Sequence, residues 1–411
     1  MSHRSIHQRS LAAIWLLLVV TGCASRSYQS QDVMAAAFLE RAEELSDDDI
    51  IVRAAVPTAR ETRKLTGLDL YAQGVQPVWL EVTNNTQQRA RISHWSIDRH
   101  YFSPIEVAYM NKGEYGGQGY TDMEAWFHRN GLPRIVPPGE TRKGFVFTNY
   151  RPGTKGFSLD IFANRAAHNF TFFVPMPGFT PDFQNVDFAA IYDPQTQRTL
   201  DIPGLRSVLE NELSCCAASP DGKADAAPFN LVLVAPPKAI RRSLLRSGWT
   251  ETAKDDPATA PARSNFYRER PPDGVFYKSR TDGNERIELR LWLSPWTMEY
   301  GLVWVGQVVY GTNDASLFEE FFTPYSPAAD LDNAVRFILQ DFWYNQSVIR
   351  AGYVKGVGRV PKDAPRETFN GHEYFTDGTR LVMQLSEEPV AFDETVIIYP
   401  ETPLPELSDD D

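Results

Sequence analysis

The sequence predicts an α+β protein, in which an N-terminal immunoglobulin-like β-sandwich is followed by a two-layer α+β domain with a mixed sheet. Short β-rich segments with turn residues between them fill residues 50–178. After residue 229, apolar strand-like runs alternate with segments of helical periodicity. Apolar residues make up 42% and charged residues 23% of the 411 residues, which excludes wholesale disorder.

Residues 1–22 have the layout of a signal peptide. Two arginines supply positive charge, and residues 11–20 form an apolar run that is too short to span a bilayer. The run ends in Gly22-Cys23, which resembles a bacterial lipobox, where a small residue precedes the lipidated cysteine. An ordinary secretory signal with a chance cysteine, and a buried helix, are the alternatives.

The lipobox resemblance implies that Cys23 carries thioether-linked diacylglycerol and an amide-linked acyl chain such as palmitate. Several long chains anchor a protein stably where a single chain does not. Ala24 follows the cysteine in place of Asp, and the enterobacterial sorting pattern then favours the periplasmic face of the outer membrane over the inner membrane. We therefore expect the membrane as one partner, through the lipid anchor, and an envelope protein as another.

Residues 23–49 are predicted to form a polar tether and a short helix. The helix would place four apolar side chains on one stripe, which are Met34, Phe38, Ala42 and Leu45. It would pack on the body of the protein and end at the acidic run that closes this segment.

Residues 50–178 are predicted to form the β-sandwich. Its strands are rich in Phe, Val, Ile or Thr and are expected at residues 77–82, 90–93, 143–149, 157–163 and 169–174. The segment lacks the Cys–Trp–Cys spacing of antibody domains, so the sandwich would be a variant without a disulfide.

An aromatic, glycine-rich insert at residues 98–133 interrupts the predicted sandwich. Long ordered loops often carry binding residues. The candidate binding residues here are Tyr101, Phe102, Tyr115, Tyr120 and Trp126. The alternative is a loop that covers the edge of the sandwich.

Residues 179–228 are predicted to connect the two domains, and they contain the neighbouring cysteines Cys215 and Cys216. In an oxidising periplasm these thiols can form a vicinal disulfide, which is a strained and reducible kind of bond. The disulfide would lock a turn between the domains, or it would act as a redox switch or a rigid binding turn. Free thiols and intermolecular pairing are further alternatives.

Residues 229–400 are predicted to form the α+β domain. Its strands are expected at residues 229–235, 249–252, 274–279, 287–293, 302–310, 350–355 and 381–385. Pro236-Pro237 begins a first helix that Gly248 ends, and Ser326-Pro327 begins a second helix. The first helix and its flanking strands would form a βαβ-like unit that has no glycine-rich phosphate loop.

The charge and motif content exclude several classes of partner. The chain has 41 basic and 53 acidic residues, a net charge of −12, so nucleic acid is not an expected partner. The sequence contains no Cys-x-x-Cys, His-Glu-x-x-His or Gly-x-Ser-x-Gly motif, so no metal, cofactor or catalytic serine is predicted. Residues 401–411 form an acidic tail that is expected to be solvated.

Five segments of the second domain carry a family resemblance. They are Leu231-Val232-Leu233-Val234, Gly248-Trp249, Leu289-Arg290-Leu291-Trp292, Val303-Trp304-Val305-Gly306 and Asp330-Leu331-Asp332-Asn333-Ala334. Together they resemble the LssY C-terminal domain family, over roughly residues 205–400, and the upstream region resembles the β domain that accompanies it in uncharacterised envelope proteins. The family has no assigned activity. Some members are fused to membrane phosphatases of the phosphatidic-acid type, which implies a lipid- or envelope-linked role.

This chain departs from the family pattern at two places. Members often have histidines before the Arg-Leu-Trp strand, where this chain has Arg286-Ile287-Glu288, and a Thr-His pair before the acidic helix start, where it has Thr323-Pro324. Any metal or acid–base site that those histidines formed would be absent here. We therefore expect a binding or scaffolding module of the envelope, without a predicted catalytic residue, rather than an enzyme. The alternative is a hydrolase that acts on an envelope lipid or a phosphate ester.

Overall fold

The computed structural model describes residues 27–47, 49–253, 260–279, 285–312 and 326–398. The chain divides into two compact units. The first comprises residues up to 151 together with Phe157–Met176, and the second comprises Pro152–Gly156 and the chain from Pro177 onward. Helices occur beside many strands, including those of a mixed sheet, which confirms the α+β class. The predicted signal peptide, Cys23 and the acidic tail lie outside the described residues.

The described residues of the first unit form eight strands and four α-helices. The strands are β1 (Glu43–Ser46), β2 (Ile50–Ala55), β3 (Val75–Asn84), β4 (Ala90–Ser93), β5 (Ile135–Val136), β6 (Thr141–Asn149), β7 (Lys155–Ala163) and β8 (Ala166–Val174). The helices are α1 (Ala59–Thr66), α2 (His94–Ile97), α3 (Pro104–Met110) and α4 (Gln118–Asn130). Each strand predicted for this region lies inside an observed strand.

Two four-stranded sheets enclose the first hydrophobic core. Their strand orders are β1-β2-β3-β6 and β5-β4-β7-β8. Alternate residues of β3, such as Val78 and Leu80, join Ile92 of β4 and Leu159 of β7 in this core. The alternation follows from the strand geometry, in which successive side chains point to opposite faces.

The aromatic insert covers the other face of the first sheet, and it is helical rather than a loop. Ser103 and Glu106 form a capping box at the start of α3, with Pro104 at its first position. The rings of Trp126 and Phe127 in α4 contact Phe145 and Phe147 of β6. The first sheet is therefore buried on both faces.

The segment before β1 does not form the predicted amphipathic helix. Residues 33–35 and 37–41 form 3₁₀ turns, and β1 follows directly. Phe38 is buried against Trp79, whereas Met34 and Leu45 are exposed. Phe38 and Val33 are buried in place of the predicted stripe, and the chain then pairs with β2 instead of continuing a helix.

The second unit contains the remaining strands and helices. The strands are β9 (Arg198–Leu200), β10 (Cys216–Ala218), β11 (Asp225–Pro228), β12 (Leu231–Ala235), β13 (Thr250–Glu251), β14 (Gly274–Ser279), β15 (Glu285–Met298), β16 (Gly301–Thr312), β17 (Ser326–Pro327), β18 (Val348–Lys355), β19 (Arg366–Glu367), β20 (Glu373–Tyr374), β21 (Thr379–Leu385) and β22 (Val396–Ile398). The helices are α5 (Ile202–Asn211), α6 (Pro237–Arg246), α7 (Ala260–Arg263) and α8 (Leu331–Tyr344). Among the described residues, no helix is both long and apolar enough to cross a bilayer.

The second unit is built on one ten-stranded mixed sheet. Its main order is β13-β14-β15-β16-β12-β21-β18-β22, with β9 on β15 and β17 on β16. The pairs β12–β21, β15–β9 and β18–β22 are parallel. Leu231 and Leu233 pack with α6 and α8, whereas Val232 and Val234 pack with α5. The sheet therefore carries helices on both faces and forms three layers, not the two predicted.

The structure of this unit differs from three further predictions. The strand after α6, β13, lies at the end of the sheet beside β14, so no βαβ unit forms and β12 takes β21 as its parallel neighbour. Helix α8 begins at Leu331, because Asp330 accepts hydrogen bonds from the first backbone N–H groups, and Ser326–Pro327 forms a strand. The predicted connector contains α5 and belongs to the second unit.

Candidate functional site

The neighbouring cysteines lie where α5 leads into the second unit's sheet. The structure places a disulfide between Cys215 and Cys216. The backbone on both sides is held in place, since Phe229 N donates to Cys215 O and Cys216 pairs with Pro228. Cys216 Sγ lies 3.9 Å from the hydroxyl of Tyr374. The disulfide is thus part of an ordered wall and not of a loose loop.

Arg380 is buried next to the disulfide and hydrogen-bonds to backbone carbonyls at the end of α5. The guanidinium of Arg380 is fully buried and donates to Leu209 O at 2.6 Å, Ser214 O at 2.6 Å, Gly356 O at 2.9 Å and Leu213 O at 3.2 Å. The last carbonyls of a helix have no partner within it, and a cation there also offsets the helix dipole. Burial lowers the pKa of Arg380 to about 10. Among the described residues no carboxylate pairs with it.

A cavity of about 230 Å³ opens beside the disulfide, and we call it the disulfide cavity. It is lined by Glu212, Leu213, Ser214, Cys216, Ala218, Phe266, Tyr267, Arg268 and Trp296. Trp296 Nε1 is buried and makes no hydrogen bond with the described residues, and the hydroxyl of Tyr267 is buried and interacts with the Arg268 side chain. Burial raises the pKa of Tyr267 to about 12. The hydroxyl is therefore a neutral O–H group at physiological pH.

The tight turn after Tyr267 supplies the cavity's exposed cation. Arg268 and Glu269 have φ values of 49° and 62°, and Tyr267 pairs with Arg270 across the turn. Such a left-handed conformation is costly for residues other than glycine. The Arg268 guanidinium lies 5.7 Å from the centre of the Tyr267 ring. The turn thus places the positive charge of Arg268 among the exposed residues that line the cavity.

A second recess, the polar cleft, lies near the ends of β15 and β20. It is lined by Ala227, Asn265, Arg290, Val309, Ala328, Leu331, Thr368, Asn370, His372, Glu373 and Tyr374. Arg290 donates to Glu288 at 2.7 and 2.8 Å and to Gln307 at 3.0 Å. The Glu288 carboxylate is therefore held in a polar network with Arg290 and Gln307.

A third recess, the apolar groove, lies between α5 and the sheet and has a volume of about 170 Å³. Its walls include Leu205, Val234, Met298 and Val382, and Arg350 is exposed at its rim. A groove of this composition can accommodate an apolar group, but its lining presents few polar atoms that would fix a ligand's orientation.

The five candidate binding residues of the insert do not form one exposed surface. Tyr115 and Trp126 are buried in the core beside α4, and Phe102 and Tyr120 are half-buried against the same core. Tyr101 is half-buried in the core between the two sheets and contacts His94 edge-on. The exposed apolar residues of the insert are instead Ile105, Tyr109 and Met110 on α3.

The residues that line the disulfide cavity were missed by the sequence analysis, apart from Cys216. Tyr267 and Trp296 line the cavity and Arg380 supports its wall, and all three come from distant parts of the chain and lie in no recognised motif. Which side chains meet around a cavity depends on the tertiary fold, so no sequence signal identifies them. In contrast, the capping box Ser103-Pro104-Ile105-Glu106 is a sequence pattern from which the first helix of the insert could have been predicted.

A family comparison covers part of the second unit. The model of the family described as LssY C-terminus matches residues 217–379, which is less than half of the chain. All five segments that carry the resemblance lie inside this range, and Cys215 and Cys216 lie just before it. No curated protein matches the chain.

Proposed function

We propose that the chain is a lipid-anchored envelope protein of a bacterium, held at the periplasmic face of the outer membrane, whose second unit binds a ligand. The anchor is supported by the charged start, the apolar run of residues 11–20 and Gly22-Cys23. We further propose that the first unit is an immunoglobulin-like sandwich, a class that is consistent with its two sheets around one core.

The disulfide cavity is the observation that carries the binding role. The cavity has a volume of about 230 Å³ and combines two exposed charged residues, Arg268 and Glu212, with apolar walls and the disulfide-bonded Cys216. A recess with a few convergent polar groups is the usual form of a small-molecule site.

The competing function is hydrolysis of an envelope lipid or a phosphate ester in the polar cleft. A general acid or base must reach the reacting atom in the required protonation state. The Glu288 carboxylate instead binds Arg290 through two nitrogen atoms of the guanidinium. This geometry favours a structural role for the pair, which supports binding over turnover.

A turnover screen distinguishes the two functions. The purified chain is incubated with phosphomonoesters and lipid phosphates, beside the Glu288→Gln variant and, as a control outside the cleft lining, the exposed Glu367→Gln variant. We expect no turnover by any of the three proteins. Turnover by the wild-type chain that is lost in Glu288→Gln and kept in Glu367→Gln would overturn the binding proposal in favour of the hydrolase.

The anchor is tested by fractionation. We expect Cys23→Ala to move the protein from the membrane to the soluble periplasmic fraction, because the acyl chains are lost, while Ser25→Ala stays with the membrane. Mass spectrometry of the native chain should find a lipidated Cys23 at the new amino terminus. An uncleaved, unmodified leader would contradict the anchor and the proposed compartment.

We place the contact with an envelope protein on the exposed face of α3. Ile105 and Tyr109 are 62% and 58% exposed there, unlike the buried aromatic residues of the insert. A photo-crosslinking residue at position 105 should capture a partner in cells, whereas one at position 64, on α1, should not. Equal capture at both positions would contradict this placement.

A further inference from the structure

We propose that the apolar groove binds the hydrocarbon chain of a fatty acid, with the carboxylate of the ligand at Arg350. The groove shares no lining residue with the disulfide cavity. The inference therefore names a second binding site and goes beyond the proposed function. It follows from the position of the groove in the fold, from the apolar surface at its mouth and from the charges of its lining.

The groove forms where α5 leaves part of the sheet uncovered. The helix has ten residues and is therefore about 15 Å long. Beyond it, the same face of the sheet continues onto β18 and the edge strand β22, and both strands contribute lining residues. Gly352 of β18 is one of them and adds no side chain. A recess therefore remains between the helix and the end of the sheet.

The mouth of the groove is apolar and accessible. Ile202 of α5 and Ile398 of β22 line the groove and are 48% and 46% exposed. Val396 is 50% exposed and lies on the same face of β22 as Ile398, because successive side chains of a strand point to opposite faces. Exposed apolar side chains grouped around a recess are typical of an interaction site. A ligand here would meet hydrocarbon that water now contacts.

The interior of the groove suits a flexible hydrocarbon chain. Its walls include Leu205, Val234, Met298, Val354 and Val382. A hydrocarbon chain has no polar atoms that need partners, so a lining with few polar groups imposes no cost on it. The volume of about 170 Å³ encloses only part of a long chain. Each buried methylene group strengthens binding about fourfold, so partial enclosure already gives affinity.

The charges of the lining favour an anionic end group. The lining contains Arg206 and Arg350 and no acidic residue. Arg206 donates to Glu210 at 3.1 Å, whereas Arg350 is exposed and has no carboxylate partner among the described residues. A guanidinium binds a carboxylate through two parallel hydrogen bonds. A fatty acid supplies one such group, ionised at neutral pH, at the end of an apolar chain.

The test is photolabelling of the full-length chain in phosphatidylcholine vesicles. Two probes have the same ten-carbon chain with a diazirine near its far end, and they end in a carboxylate or in a trimethylammonium group. Mass spectrometry of the digested chain locates the adducts. We expect the carboxylate probe to label α5, β18 or residues 298–300 in a saturable way. Decanoate should compete with this labelling, and acetate should not.

The charge is tested at Arg350. Half-saturation of labelling by the carboxylate probe should need roughly twofold to fivefold more probe in Arg350→Gln, because an exposed ion pair is lost. Arg350→Lys should restore most of the affinity. Arg359→Gln, at an exposed position outside the groove, should label like wild type. The ammonium probe should bind Arg350→Gln no more weakly than wild type, and this comparison cancels the partitioning of each probe into the bilayer.

The apolar mouth is tested at Ile202. Ile202→Asp should weaken labelling by the carboxylate probe at least about fivefold, because it places a negative charge in the path of the ligand. Its melting temperature should not fall, since an acidic residue is favourable in the first turn of a helix. The matched control is Ile105→Asp, an exposed isoleucine in the first turn of α3, and it should label like wild type.

Four results would overturn the assignment. The first two are no saturable labelling of the groove, and equal affinity of the carboxylate probe for wild type and Arg350→Gln. Labelling that appears only after residues 399–411 are removed would assign the groove to that segment of the chain instead. Labelling that appears only when dilution dissociates a dimer would assign it to a second copy. The fractionation of Cys23→Ala and the turnover screen do not depend on these results, so the proposed function is tested separately.

Discussion

The aromatic insert of the first unit and the disulfide cavity of the second both gather aromatic side chains, but they use them differently. In the insert, Trp126 and Tyr115 are packed into a core, where Trp126 contacts Phe127 edge-on and Phe145 at a tilt. At the disulfide cavity, Trp296 and Tyr267 are as deeply buried, but the exposed charged residues Arg268 and Glu212 line the same recess. Aromatic side chains alone form a core in the first case, and aromatic side chains beside charged groups form a candidate site in the second.

The largest expected effect tests whether the insert is core. Trp126→Ala should lower the free energy of unfolding by about 3 to 5 kcal/mol, because it opens a cavity between α4 and β6. The exposed Trp95→Ala in the same unit should change it by less than about 0.5 kcal/mol. Urea unfolding measures both. A small loss for Trp126→Ala would show that the insert is not part of the core.

The next effect concerns the wall of the disulfide cavity. Arg380→Met should lower the free energy of unfolding by about 3 kcal/mol, because four backbone carbonyls lose their donor, two of them in buried hydrogen bonds. Arg359→Met, at an exposed position in the same unit, is the control and should be near neutral. Equal stabilities of the two variants in chemical denaturation would mean that Arg380 does not support the wall.

The next prediction concerns how the stability of the first unit depends on pH. Burial, with a smaller contribution from Arg134, lowers the pKa of His94 in the first unit to about 4. Between about pH 6.5 and about pH 4, the His94 imidazole binds a proton in the unfolded state but not in the folded state. The free energy of unfolding therefore falls by about 2 kcal/mol as the pH drops through this range.

The matching measurement is the pH dependence of unfolding in His94→Gln and in the exposed His128→Gln. The first variant should lose the acid-side decline that the wild type shows, and the second should keep it. A decline of unchanged size in His94→Gln would contradict the assignment.

The smallest expected effect is that of the disulfide on folding. The bond closes a very short loop, so replacing both Cys215 and Cys216 by Ser should cost about 1 kcal/mol, which chemical denaturation measures. A loss of more than about 3 kcal/mol would show instead that the disulfide locks the fold of the second unit.

Much of the local structure could be predicted from the sequence. The strand of residues 77–82 and the helix between Pro237 and Gly248 follow from alternation, helical periodicity and end signals that act over a few residues. Gly248 has a φ of 83°, a conformation that glycine adopts without strain, so the end of α6 could be predicted from the sequence. The segment around Phe38 was misjudged, because pairing of β1 with β2 outweighed its helical spacing.

By itself, the sequence determined the α+β class, the β-rich first half, most strands and the segments that match the LssY C-terminus family, because these depend on side-chain order along the chain. Only the tertiary structure decided that helices cover both faces of the second sheet and that the insert's rings are buried. It alone also brought Tyr267, Trp296 and the Arg380-supported wall around one cavity. Burial and hydrogen-bond partners depend on which distant segments meet, and no local pattern encodes that meeting.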